Sequence, residues 1–212
     1  MVRDAIATVS RPILVDPRFS PRAAARGAAD TRYDRASFPP ARAAATLLLL
    51  YPATDGSGLV APITIRHDDL RTHAGEVALP GGAVDEGDAD RAATALREAA
   101  EEVGLDSVAA GVTVAGSLDP IWIPVSNFEL LPVVATAERA PRLIPQESEV
   151  AAIVELPLGR LFETDAVQLE TFIVREWRLE AATYRHADLR VWGATARTLA
   201  MLATVLIEAG LV

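Results

Sequence analysis

The strongest constraint in this chain is the stretch from Leu79 to Leu105, LPGGAVDEGDADRAATALREAAEEVGL. A Pro80-Gly81-Gly82 turn feeds an acidic loop, and the loop leads into an alanine-rich segment that carries Arg97, Glu98, Glu101 and Glu102 and stops at Gly104. At about 100° per residue this segment reads as a helix, with Glu98, Glu101 and Glu102 within about 100° of one another and Ala92, Leu96, Ala99 and Val103 on the opposite side. One face is expected to pack and the other to present three carboxylates. Asp88 is the expected N-cap, Asp90 suits the positive end of the dipole, and Gly104 before Leu105 fits a left-handed C-cap with its apolar contact. These signals predict a helix from about Ala89 to Val103.

Three glutamates at such spacing repel one another, but each like-charged pair on an exposed helix costs only about 0.2–0.5 kcal/mol. A solvated acidic face is therefore one reading. The other starts from Gly81 and Gly82, where the backbone can approach a ligand or metal more closely than a residue with a Cβ allows. Oxygen-only ligands suit Mg2+ or Mn2+, which keep some water and bridge to substrate phosphates. In that reading Glu98 and Glu102, one turn apart, are the main metal ligands and Glu101 adds a direct or water-mediated contact. The order of parts points to metal-assisted hydrolysis of a phosphoanhydride.

Composition narrows the alternatives. With no lysine, neither a Gly-Lys-Ser/Thr phosphate loop nor a Schiff base is available, and with no cysteine, disulfides, thiolate catalysis and cysteine-bound zinc are excluded. A net charge of −9 argues against unspecific nucleic-acid binding. The longest strongly apolar run, Ala43 to Leu50, falls far short of the roughly 20 residues that span a bilayer, so no membrane partner is expected. Neither a secretory apolar core at the N-terminus nor a peroxisomal address at Gly210-Leu211-Val212 is visible, and a cytoplasmic location is the expectation.

Residues 1–43 hold eight arginines against four aspartates and read as a partly ordered N-terminal arm lying across an acidic body of residues 44–212. Direct binding of an anionic substrate through Asp30, Arg32, Tyr33 and Arg35 is the competing reading. Ala44–Tyr51 and Leu59–Arg66 read as a hairpin turning at Gly56–Gly58. Arg66 and Arg71 can hold phosphates bidentately or pair with Asp68, Asp69 or Glu76, and His73 is a loop residue that can serve as a phosphate donor or a structural partner. Val112–Leu118 and Phe128–Thr136 read as strands, and the loop between them carries Trp122, which can stack on an adenine or pack on the core. Glu147 and Glu149 precede the apolar run Val150–Leu156. Pro157–Phe162 suggests a helical turn, Val167–Leu179 and Ala182–Arg185 another strand pair, and Val191–Ala209 a helix that closes the core.

The central stretch resembles the Nudix box, G-x5-E-x7-R-E-U-x-E-E-x-G-U, where U is a bulky apolar residue. Arg97, Glu98, Glu101, Glu102, Gly104 and Leu105 match, and Ala99 is a small occupant of U. Gly82 lies one residue too far from Arg97, and Asp88 stands where the glutamate belongs. The coenzyme A diphosphatase branch of the family is similar in having this extra residue, together with an upstream signature, L-L-T-x-R-S-x3-R-x3-G-x3-F-P-G-G. Thr64, Arg66, Arg71, Gly75, Pro80, Gly81 and Gly82 agree with it, whereas Pro62, His67 and Leu79 depart. Looser similarity extends to Trp192-Gly193-Ala194-Thr195-Ala196-Arg197.

The resemblance implies a three-layer α/β/α sandwich with a mixed β-sheet, and Mg2+ or Mn2+ held by Glu98, Glu101 and Glu102 near Gly82. It further implies that Arg97 orients the glutamates, that a late-loop glutamate joins the metals or acts as base, and that related chains are dimers. The implied substrate is coenzyme A or a derivative, with Arg66, Arg71, Gly81, Gly82 and Trp122 as its expected contacts. A general nucleoside diphosphate-X hydrolase is the second reading, and a Nudix-fold ligand sensor without turnover the third.

Overall fold

A computed structural model describes residues 1–19, 22–23, 35–69, 75–174 and 177–212. In chain order the elements are α1 (Val2–Thr8), β1 (Arg22–Ala23), β2 (Arg42–Pro52), β3 (Leu59–Arg66), β4 (Val77–Ala78), β5 (Gly81–Ala83), α2 (Arg91–Val103) and α3 (Ser107–Ala110). There follow β6 (Val112–Ser117), β7 (Ile121–Ile123), β8 (Phe128–Ala137), β9 (Val150–Pro157), β10 (Val167–Val174), β11 (Trp177–His186), β12 (Leu189–Val191) and α4 (Gly193–Glu208). A 3-10 turn at Leu158–Phe162 joins β9 to β10.

β2 explains the layers. Its apolar run has no polar face because both faces are covered. Ala45, Leu47, Leu49 and Tyr51 pack with Ala95, Ala99 and Val103 of α2, while Leu48 and Leu50 pack with Leu199, Leu202 and Leu206 of α4. Each helix thus takes alternate residues of one strand, which gives the expected α/β/α sandwich. The sheet is mixed: β2 and β8 run parallel, and β3, β4, β5, β6, β7 and β9 add antiparallel pairs.

The expected β2–β3 hairpin is paired only at Tyr51↔Val60 and Pro52↔Leu59. Beyond these positions β3 pairs with β9, and β5 takes the edge of β2 at Ala44, Ala45 and Thr46. Pro80 locks this insertion, because its carbonyl accepts from Leu47 N at 2.8 Å and from Thr46 Oγ1 at 2.8 Å. Gly81 and Gly82, read from the sequence as a turn, are therefore strand β5, admitted beside β2 by the splay of β3 and packed against α2, because the pairing with Thr46 and Ala45 extends their backbone.

Three boundaries differ from expectation. α2 begins at Arg91, and its N-cap is Asp90, whose side chain accepts from Ala93 N at 2.8 Å. Asp88 is not the cap because its carboxylate is taken by Arg97 and Thr94. The strand expected over 167–179 ends at Val174, and β11 begins at Trp177 and pairs back along β10 from Val174↔Trp177 to Val167↔Tyr184. At its C-terminus α2 ends as read, with Gly104 at φ +64 and Leu105 N donating to Ala99 O at 3.2 Å.

In the N-terminal segment, Ala5, Ile6, Ile13 and Phe19 are buried in the cluster shared with α4. Arg11 pairs with Asp119 at 2.5 Å and donates to Ser117 O at 2.7 Å. β11 and β10 form a second sheet with β1 and β12, and Tyr184 and Ala182 of β11 join the α4 core. Burial alone pushes the Tyr184 hydroxyl up to about 12. Among the described residues no helix is long and apolar enough to cross a membrane.

Candidate active site

The three glutamates of α2 share one side of the helix but not one environment. The side chain of Glu101 is 61% exposed, that of Glu98 17% and that of Glu102 only 7%. A helical wheel sees all three as one polar face; the structure adds a cover that the wheel does not contain. The loop between β8 and β9 is strapped along the last turn of α2, with Ile144 N donating to Val103 O at 2.9 Å and Gln146 N to Glu102 O at 2.8 Å. Carbonyls that a helix end leaves unpaired are satisfied by the strap.

Together Glu98, Glu101, Glu102, Gln146 and Glu149 line a cleft of about 290 Å3. Of the two late-loop glutamates left open by the sequence, Glu149 is in the lining. Its backbone is fixed on both sides: Glu149 N donates to Gln146 O at 2.9 Å, and Glu149 O accepts from His67 N at 2.9 Å. Gln146 was not anticipated, although its position three residues before Glu149 at the mouth of β9 was a usable signal.

The two glycines of β5 close the inner wall. Gly81 N donates to Glu102 Oε2 at 3.1 Å. A Cβ on Gly82 would lie 2.4 Å from Glu98 Oε1, and one on Gly81 would lie 2.4 Å from Ala45 O and 2.7 Å from Thr46 Cα. Both glycines are thus required for close approach, Gly82 to a carboxylate and Gly81 to backbone.

Arg97 ties the outer wall. It donates to Asp88 through Nε and Nη2, each at 3.0 Å, to Glu98 Oε1 at 2.9 Å, to Glu101 Oε1 at 3.4 Å and to Ala83 O at 3.1 Å. Asp88, standing where the Nudix pattern has its loop glutamate, is the forked partner of this guanidinium. The Arg97 bonds, chief among them those to Asp88, hold the Asp88 carboxyl well below its usual range and raise Arg97.

Electrostatics on the inner side run the other way. Burial raises the Glu102 carboxyl to about 7, against the Gly81 N–H bond and the Arg66 charge, and Glu98 and Glu149 add to the rise. Burial also raises Glu98, opposed by Arg97. Arg66, at the end of β3, stands with Nη1 3.8 Å from Glu102 Oε1, and its buried Nε has no hydrogen-bond partner. Among the described residues no three His, Cys, Asp or Glu side chains stand close enough to hold a metal ion as placed. The donor chemistry nevertheless fits a hard divalent cation: carboxylate and amide oxygens, Glu98 and Glu102 raised by burial, beside a glycine that leaves room.

The remaining sequence-derived residues are dispersed. Trp122 is half-buried, its indole N–H donates to Asn127 Oδ1 at 3.1 Å, and its ring meets Phe38 edge-on at 5.0 Å. It does not line the cleft. Arg35 pairs with Glu129 at 2.5 Å, a carboxylate that Arg91 also holds at 3.1 Å. Asp30, Arg32, Tyr33, Arg71 and His73 lie outside the described residues.

Comparison with known proteins agrees with this geometry. The NUDIX domain model matches residues 42–176, well over half of the chain. "Nudix hydrolase 15, mitochondrial" of Arabidopsis thaliana is 36% identical over 180 residues, covering 81% of this chain and 60% of that protein. "Uncharacterized Nudix hydrolase NudL" of Pectobacterium atrosepticum is 38% identical over 141 residues, covering 66% of this chain and 72% of that protein. The chain therefore spans less than two thirds of the plant relative's length. A crystal structure of a MutT/nudix family protein from Enterococcus faecalis shares the fold, with a TM-score of 0.51 and 16% identity over 81% of this chain and 64% of that one. With the box residues gathered on α2 and the family model spanning the sheet that carries them, the chain belongs to the Nudix family.

Proposed function

We propose that the protein hydrolyses a diphosphate linkage with the help of divalent cations, and that its substrate is coenzyme A or a derivative, cleaved to 3′,5′-ADP and 4′-phosphopantetheine or its acylated form. The observation that carries this reading is the cleft in which half-buried Glu98 and buried Glu102 share a wall with Glu149 beside Gly81 and Gly82 of β5. A diphosphate and these carboxylates are both negative, so the carboxylates meet it only through cations.

Glu98, Glu101, Glu102 and Glu149 are the residues that would hold Mg2+ or Mn2+, and Gly82 leaves the space they need. When bound, such an ion neutralises the diphosphate and makes a water molecule acidic enough to attack phosphorus. The chain supplies the rest. Arg97 aims Glu98 and ties it to the β5 loop; Arg66 has an uncommitted Nε and stands beside Glu102, where it can meet a phosphate oxygen. Glu149, held at its N–H and its carbonyl, is the base that takes the proton from the attacking water.

Support for coenzyme A over other nucleoside diphosphate-X compounds comes from the spacing of Thr64, Arg66, Arg71 and Gly75 ahead of Pro80-Gly81-Gly82. The test is purified protein with Mg2+ or Mn2+ and a panel of coenzyme A, ADP-ribose, NADH and dinucleoside polyphosphates. Highest kcat/KM on coenzyme A is the expected result. Equal or better turnover of ADP-ribose overturns the substrate, and no cation-dependent turnover of any of them overturns the enzymatic reading.

A further inference from the structure

Of the residues that line the cleft, four carry carboxylates and one does not. An ionised carboxylate accepts hydrogen bonds and donates none, and the same is true of a diphosphate oxygen. Gln146 is therefore the one lining residue whose side chain can donate to a phosphate without an intervening cation. Its place is fixed by its backbone alone. Gln146 N donates to Glu102 O at 2.8 Å, and Gln146 O accepts from Glu149 N at 2.9 Å and Val150 N at 2.8 Å. These bonds form a tight turn that starts on α2 and ends at β9, with Gln146 and Glu149 in one lining.

We propose that the carboxamide of Gln146 is a substrate contact, donating a hydrogen bond to a non-bridging oxygen of the diphosphate while Glu149 serves the attacking water. This deepens the proposed hydrolysis and rests on it. A neutral donor is the right group for this position. A fifth carboxylate would repel the substrate, and an arginine would pair with the carboxylates that the cations need. Because the turn is held by main-chain groups, the side chain can be changed without undoing the strap.

The experiment compares wild type with Gln146→Ala and Gln146→Glu, using coenzyme A and ADP-ribose as substrates. Mn2+ titration without nucleotide and thermal melting serve as controls for the site and the fold. Loss of one hydrogen bond to a charged group predicts that Gln146→Ala lowers kcat/KM by about 10- to 100-fold. Gln146→Glu falls further, since it removes the donor and adds charge. Melting temperature and Mn2+ affinity of Gln146→Ala stay at wild-type values. Equal kcat/KM in wild type and Gln146→Ala overturns the inference and leaves the proposed hydrolysis standing. Matching losses in the Ala and Glu variants, accompanied by a fall in melting temperature, assign Gln146 to the fold and also overturn it. A wild type that turns over neither compound removes the premise, and the inference with it.

Discussion

Two sides of α2 treat charge in opposite ways. On the outer side, Arg97 is matched by Asp88 in a forked pair and reaches Glu98, Glu101 and the Ala83 carbonyl as well. On the inner side, Glu102 lies almost wholly buried near Glu98 and Glu149, with one backbone N–H and an arginine 3.8 Å away as its relief. The outer arrangement is complete in itself. Among the described residues the inner one buries negative charge without enough positive charge to match it, an arrangement that disfavours folding unless a cation or a proton fills the deficit. A paired cluster holds a shape, whereas an underpaired one awaits a ligand.

Glu102→Gln separates these roles most sharply. Activity should fall by roughly 1,000-fold or more, the scale of losing a catalytic electrostatic contact. Without divalent ions the same variant should melt higher than wild type, because the buried charge is gone. Arg97→Met is the counterpart on the outer side: it leaves Asp88 and Glu98 unpaired, and its melting temperature should drop by roughly 2–4 °C or more, with activity reduced through misplaced Glu98. If both variants lose stability alike, the contrast between the two sides fails.

The glycines sharpen the same contrast. On Gly81 a Cβ meets backbone of Ala45 and Thr46, which cannot yield, so Gly81→Ala should destabilise the fold by about 1–3 kcal/mol. On Gly82 the atoms it meets first are those of the Glu98 carboxylate, a side-chain end that can move, so Gly82→Ala should keep the fold while lowering divalent-ion affinity. Chemical denaturation and Mn2+ titration of the two variants separate these outcomes.

The same contrast can be read in pH. Glu102 has a folded-state value near 7, above the roughly 4.5 of an unfolded glutamate, so between these limits the folded chain keeps a proton that the unfolded chain has lost. The stability from this group is fully present below about pH 4.5 and disappears as pH rises through about 7. With chelator present, wild type should lose on the order of 2–3 kcal/mol relative to Glu102→Gln across that window. Saturating Mg2+ should remove the difference. A flat difference in chelator would show that the Glu102 charge is already compensated.

Much of this was legible in the sequence. The alternation-free run at Ala44–Tyr51 marks a strand covered on both faces, and the Gly104-Leu105 pair marks the end of α2 because only a left-handed residue lets the chain turn there. The Nudix box places Arg97, Glu98, Glu101 and Glu102 on one helix. What stayed hidden depends on distant chain. Asp88 and Asp90 are equally good caps by local preference, and Arg97 decides between them by claiming Asp88. The rank order of burial among the three glutamates depends on their neighbours outside the helix, with Glu102 against Gly81 and Arg66, Glu98 against Gly82, and Glu101 left exposed. Choosing Glu149 over Glu147 required the register of β9 against β3, which places Glu149 O on His67 N. Nothing local announces the partners of Trp122, whose N–H bonds Asn127 and whose ring meets Phe38 at nearly a right angle.

The most direct test of the account is calorimetric titration of Mn2+ into wild type and into a Glu98→Gln/Glu102→Gln double variant, each free of nucleotide. Saturable binding in wild type that vanishes in a still-folded double variant is the predicted result. Undiminished binding in the double variant would place the cation elsewhere and contradict the assignment of the inner side of α2 as the catalytic metal site.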